Sequence, residues 1–152
     1  MADESLPPDA ANRIADAVED IERNVARLRE LRDISREAYT AADRQDLRDA
    51  VERKFVKLTE AVLDVAATVL RHECDDVPDR RKGKIAALRD IGIIDGELET
   101  QLSDAVEFRD VLAHTYGPVV NDDLVYDALQ TDHERYVALV EAIHTYLSAE
   151  TP

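Results

Sequence analysis

Apolar residues recur every three or four positions along most of the chain, and nowhere do several residues in a row alternate apolar and polar as a half-buried strand would. The first run is Ile14, Val18, Ile21, Val25, Leu28 and Leu31, which fall on one helical stripe. Asp9, just after Pro7 and Pro8, is placed to cap its start. The second run is Leu47, Val51, Phe55, Leu58, Val62, Val65 and Val69. Its second half also carries Ala61, Leu63, Ala66, Ala67 and Leu70, the pattern of a helix buried on more than one side. Asp43 is its expected N-cap, and the polar segment around Pro78 ends it. A short third run from Ile85 to Ile91 stops at Gly92. Asp95 begins a fourth, through Leu98, Leu102, Ala105, Arg109, Leu112 and Tyr116, which Gly117 and Pro118 terminate. The last starts near Asn121 and continues through Val125, Leu129, Tyr136, Val140, Ile143 and Leu147. This spacing predicts an all-α protein, an antiparallel helical bundle of four long helices plus one short helix.

Length and composition narrow the picture further. The 152 residues suit a single domain, with residues 1–9 expected to be a flexible tail. A hydrophobic share of 45% is enough for a buried core. The one cysteine, Cys74, excludes an internal disulfide and a Cys-rich zinc site within one chain. No stretch has the apolar length of a membrane span, and the acidic N-terminus lacks the basic and apolar parts of a signal peptide. A cytoplasmic protein is expected, with no membrane partner.

Charge changes the expectation about partners. Asp and Glu total 34 against 19 Lys and Arg, a formal net charge of −15. Only four of those cations are lysines: Lys54, Lys57, Lys82 and Lys84. A carboxylate-rich surface with few lysines suits a halophilic protein working in molar salt, where self-repulsion is screened within about 3 Å. The plainer alternative is an ordinary acidic protein. On either reading the bulk charge does not attract nucleic acid, so any such function belongs to a local site.

The anomaly in the pattern is position 109, where an arginine sits on the apolar stripe of the fourth run. A guanidinium there costs free energy unless it is paired or faces a cleft. Glu60 and Asp64, one turn apart on the second run, are candidate partners. The bland alternative is a snorkelling arginine or a single buried ion pair. His114 and Tyr116 follow in the same helix. On an ideal helix Arg109 and Tyr116 lie within about 20° of each other, whereas His114 is turned about 140° from Arg109. Arg109 and His114 converge if the helix unwinds before Gly117, or if a second copy brings its own set alongside in a two-fold dimer. Taken singly, His114 reads as a helix-end histidine and Tyr116 as a packing aromatic.

The ordered set Arg109-x4-His114-x-Tyr116 at the end of a bundle helix resembles the signature of the HEPN superfamily, and the order of elements is similar to its HepT-like branch. The likeness runs from about Asp46 to Leu147. It includes Asp49-Ala50-Val51-Glu52-Arg53 and Glu60-Ala61-Val62-Leu63-Asp64-Val65 on the second run. It also includes Leu88-x-x-Ile91-Gly92-Ile93-Ile94 and Phe108-Arg109. The resemblance implies an HEPN-like bundle and the toxin of a type VII-like toxin–antitoxin system, acting as a metal-independent endoribonuclease on RNA. Carried over by position, Arg109 and His114 are the catalytic pair, with Asp110, Glu60 and Asp64 supporting. Tyr116 is the residue to which a cognate minimal nucleotidyltransferase antitoxin transfers AMP. A homodimer is implied, and no cofactor or metal. The position after the arginine, most often Asn in that family, is Asp110 here.

That assignment is chemically coherent. Cleavage beside a 2′-hydroxyl needs one group to move a proton and another to stabilise the charged phosphorane, which suits histidine and the planar arginine fork. AMP on a neighbouring tyrosine adds bulk and negative charge where a phosphate would sit. The dense basic run Arg80, Arg81, Lys82 and Lys84 reads either as an RNA guide or, more simply, as a solvated loop. His72 and Cys74 are too few for a metal site. His133 and His144 read as core-edge or surface residues, and Tyr39, Tyr126, Tyr136 and Tyr146 as packing. A second reading, motivated by Asp110 and the net charge, is a non-catalytic module whose Arg109 and His114 bind a nucleotide or the nucleotidyltransferase.

Overall fold

The computed structural model describes residues 6–114 and 121–150, and these are helical with no strand among them. In chain order the helices are α1 (Pro8–Leu31), the short α2 (Arg36–Tyr39), α3 (Gln45–Glu73), α4 (Arg81–Asp90), α5 (Gly96–His114), α6 (Asp122–Thr131) and α7 (Glu134–Glu150). A 3-10 turn, Ala42–Arg44, leads into α3. Tyr116, Gly117 and Pro118 lie outside the described residues, as do residues 1–5 of the expected tail.

The central element is α3. Residues 65–70 are all buried, so no face of that stretch reaches water. Phe55, Leu58, Val65 and Leu70 are each at most 1% exposed, and burying a side chain of that size stabilises by about 1.5–3 kcal/mol. The start of α1 lies beside the second half of α3, where Arg13 meets Asp64, so the two run antiparallel. α5 also runs antiparallel to α3: Phe108 packs edge-on against Phe55, with ring centroids 5.3 Å apart, while Thr59 Oγ1 donates to the Ala105 carbonyl. α7 closes the bundle against α1 and α5. Arg29 at the end of α1 pairs with Glu134 at the start of α7, and Arg135 donates to the Gln101 carbonyl of α5.

Several ends differ from the sequence expectation. Asp9 lies inside the first turn of α1, which Pro8 already begins, and makes no capping bond. Asp43 belongs to the 3-10 turn, and α3 starts after Arg44 without a side-chain cap. What holds that corner is Arg48, 5% exposed, which donates to the carbonyls of Tyr39 and Ala41 and to Gln45. The last run is two helices, because the chain breaks at Asp132 and His133 so that both α6 and α7 can lay an apolar face on the core. Other ends are as the residue types dictate. Asp95 accepts from Leu98 N–H at the head of α5, and Asn121 accepts from Asp123 and Leu124 N–H at the head of α6. Just past the end of α4, Gly92 takes a φ of 83° that lets Ile93 N–H reach the Leu88 carbonyl.

Candidate functional site around Arg109

The register of α5 against α3 turns Arg109 inward. Its side chain is 13% exposed, and its fork is shared between two carboxylates. Nη2 donates to Glu60 Oε1 on α3 and Nη1 to Asp110 Oδ1 on α5, each at 3.2 Å. Nε is buried and has no hydrogen-bond partner among the described residues. Asp64 takes another course: its carboxylate faces Arg13 of α1 at 3.7 Å. Of the two carboxylates that the spacing makes candidates for Arg109, the structure brings one to it.

Asp110 is the hinge of the arrangement. Its carboxylate meets Arg109 and, at 3.6 Å, Arg81 at the start of α4. Its carbonyl lies 2.8 Å from His114 Nδ1. A carbonyl only accepts, so Nδ1 carries the hydrogen and Nε2 is left as the basic nitrogen. His114 is solvent-exposed, on the last turn of α5. α5 stays helical through His114, so the step of five residues keeps the imidazole and the inward guanidinium on different sides of the helix. One protomer does not bring Arg109 and His114 together side chain to side chain. Between them Val111 is 54% exposed, a large apolar side chain on the outer face of α5.

Two open grooves each include one of the carboxylates that hold Arg109. One, of about 940 Å³, runs between α1 and α3 and is lined by both signs of charge, Lys54, Lys57 and three arginines facing Glu60, Asp64 and three further aspartates of α1. The second, of about 610 Å³, lies between the start of α4 and α5 and is lined by Arg80, Arg81, Lys82, Lys84 and Asp110. The basic run, which in the sequence reads most simply as a solvated loop, therefore abuts the motif helix. Lys82 also pairs there with Glu107 of α5. Linear spacing holds no signal for this, since α4 and α5 are brought side by side only by the Gly92 turn.

Residues 21–143 match the sequence model of a family described as ribonuclease HepT-like. Among curated proteins none matches the chain. Solved structures with a similar fold include a toxin–antitoxin crystallised with AMP-PNP, at TM-score 0.77 and 19% identity over 88% of this chain and 98% of that one. A tri-AMPylated HEPN toxin of Shewanella oneidensis in complex with MNT antitoxin gives 0.76 and 20% over 88% and 97%. YutE, a cytosolic protein of unknown function from Bacillus subtilis, gives 0.75 and 17% over 93% and 92%. At such identities the likeness is one of fold.

Proposed function

Because the chain belongs to the ribonuclease HepT-like family, we propose that it is the toxin of a toxin–antitoxin pair and cuts RNA without a metal ion. The observation that carries this reading is the inward Arg109 tied through Asp110 to an exposed His114 whose Nδ1 is held by the Asp110 carbonyl. In the proposed reaction Nε2 takes the proton of a ribose 2′-hydroxyl. The 2′ oxygen then bonds to phosphorus, the 5′ oxygen leaves and collects a proton, and a 2′,3′-cyclic phosphate results. Arg109 stabilises the extra negative charge on the phosphorus oxygens, which requires a phosphate oxygen to displace Glu60 or Asp110 from the fork. Since one protomer holds the two side chains apart, the working unit is a homodimer whose second α5 completes each site. Tyr116, two residues beyond His114, is the acceptor for AMP from a cognate nucleotidyltransferase, with pyrophosphate released. The tri-AMPylated toxin and its MNT antitoxin complex support that partner.

The test is cleavage of RNA by the purified, unmodified protein in about 1 M KCl with EDTA, beside Arg109→Ala and His114→Ala. Cleavage by wild type alone is expected, with losses on the order of 100-fold or more in either variant. Full activity in His114→Ala overturns the assignment. The two carboxylates already on Arg109 favour a second reading, a non-catalytic module that binds the nucleotidyltransferase. An unmodified, folded dimer that never cuts RNA but binds such a partner establishes it instead.

A further inference from the structure

The lysines of this chain are not spread over its surface. Arginine is the default cation, yet all four lysines line the two grooves that supply the carboxylates on Arg109. Lys54 and Lys57 stand in the α1–α3 groove, and Lys82 and Lys84 in the α4–α5 groove. Each groove contributes one of the two carboxylates that hold the Arg109 guanidinium. Glu60, which lines the first, holds Nη2, and Asp110, which lines the second, holds Nη1. Among the described residues no carboxylate pairs with Lys54, Lys57 or Lys84, and Lys84 Nζ donates only to the Asp79 carbonyl. On a protein of net charge −15, cations left unpaired beside abundant carboxylates are available to an incoming anion. An ammonium group on a flexible stem suits a backbone whose phosphates must be held in place without reading sequence.

We propose that Lys54 and Lys57 on one side of Arg109, and Lys82 and Lys84 on the other, form a phosphate track that lays a single-stranded polynucleotide across the guanidinium. This rests on the ribonuclease reading and adds the path the strand takes. Cations set in two separate grooves call for several phosphates, so the ligand is a chain and not a mononucleotide. Arg81, by neutralising Asp110, removes a charge that would repel the strand where it crosses between the grooves.

The test is binding of a labelled single-stranded RNA oligomer to unmodified His114→Ala protein, between about 0.1 and about 1 M KCl, where each phosphate deprived of its cation lowers the salt slope by about 0.7. The variants are Lys54→Gln/Lys57→Gln, Lys82→Gln/Lys84→Gln and all four together. Arg32→Gln/Arg44→Gln removes two exposed cations outside both grooves and serves as the charge control. All these positions are on the surface, and melting curves confirm folding. Each lysine pair should lower the slope by about 1.4, and the fourfold variant should weaken binding on the order of 100-fold at about 0.2 M salt, with the arginine control near wild type. Equal losses in lysine and arginine variants, or RNA binding that ignores the lysines, overturn the track while leaving cleavage by wild type intact. Lysine-dependent binding without cleavage by wild type upholds the track and removes the ribonuclease reading. No RNA binding at any salt overturns both.

Discussion

At the scale of single residues, two buried cationic or ionisable side chains are held in opposite ways. Arg109 is enclosed by carboxylates, whereas His133 is enclosed by apolar neighbours and by cations. His133 is 2% exposed, its Nε2 donates to the Leu129 carbonyl, and its Nδ1 is buried with no hydrogen-bond partner among the described residues. Burial lowers its pKa from the ordinary 6.5, and the nearby Arg32 and Arg29 lower it further. The Leu129 hydrogen bond and Asp132 act the other way. Protonation would place a second, unanswered N–H in the core. On acidification the unfolded chain takes up the proton first, so this contribution to stability is intact above about pH 6.5 and drains away as pH falls through the folded value. In urea titrations from about pH 7 to about pH 5, wild type should lose more stability than His133→Gln, which keeps a donor but does not titrate. Parallel curves for the two proteins would show that the imidazole carries no linkage.

At the scale of elements, the α4–α5 connection does the most positional work, because it sets the basic run against Asp110. Gly92 adopts a φ of 83°, which a residue with a Cβ reaches only under strain. Gly96, at the head of α5, is different: an added Cβ would meet the Arg89 guanidinium at 3.1 Å, the far end of a flexible, exposed side chain. Gly92→Ala should therefore destabilise by about 1–2 kcal/mol. Gly96→Ala should be neutral or gain up to about 1 kcal/mol from helix propensity. Thermal melts of the pair check this, and a Gly92→Ala protein as stable as wild type would refute the strain argument. The same connection explains the legibility of the site. That Arg109 should find Glu60 or Asp64 is readable in the sequence, since residues one turn apart on α3 share a face. That Asp64 goes to Arg13 is not, because it depends on how α1 lies along α3.

At the scale of the whole molecule, the proposed site is complete only when two copies meet. Val111, exposed on the outer face of α5, is the natural centre of such a contact. Light scattering in about 1 M KCl should give twice the 17.1 kDa chain mass, and Val111→Asp should shift the protein toward monomer and reduce cleavage together. A monomeric wild type that still cuts RNA would refute the dimeric site.

What the sequence determined by itself is what repeats locally. Steps of three and four along Ile14 to Leu31, Leu47 to Val69 and Leu98 to Leu112 specify helices and their inward faces, since a stripe of that period can be buried in no other way. Asp95, Asn121 and Gly92 mark helix ends because their own chemistry satisfies or bends the backbone there. The order of Arg109, His114 and Tyr116 was enough to suggest the family. Only the tertiary structure decided which elements lie side by side: the break at His133, the buried clamp of Arg48, and the two grooves that each lend a carboxylate to one guanidinium. These depend on the register between helices far apart in the chain. A periodic pattern says which face turns inward, and it is silent about the neighbour that face will find.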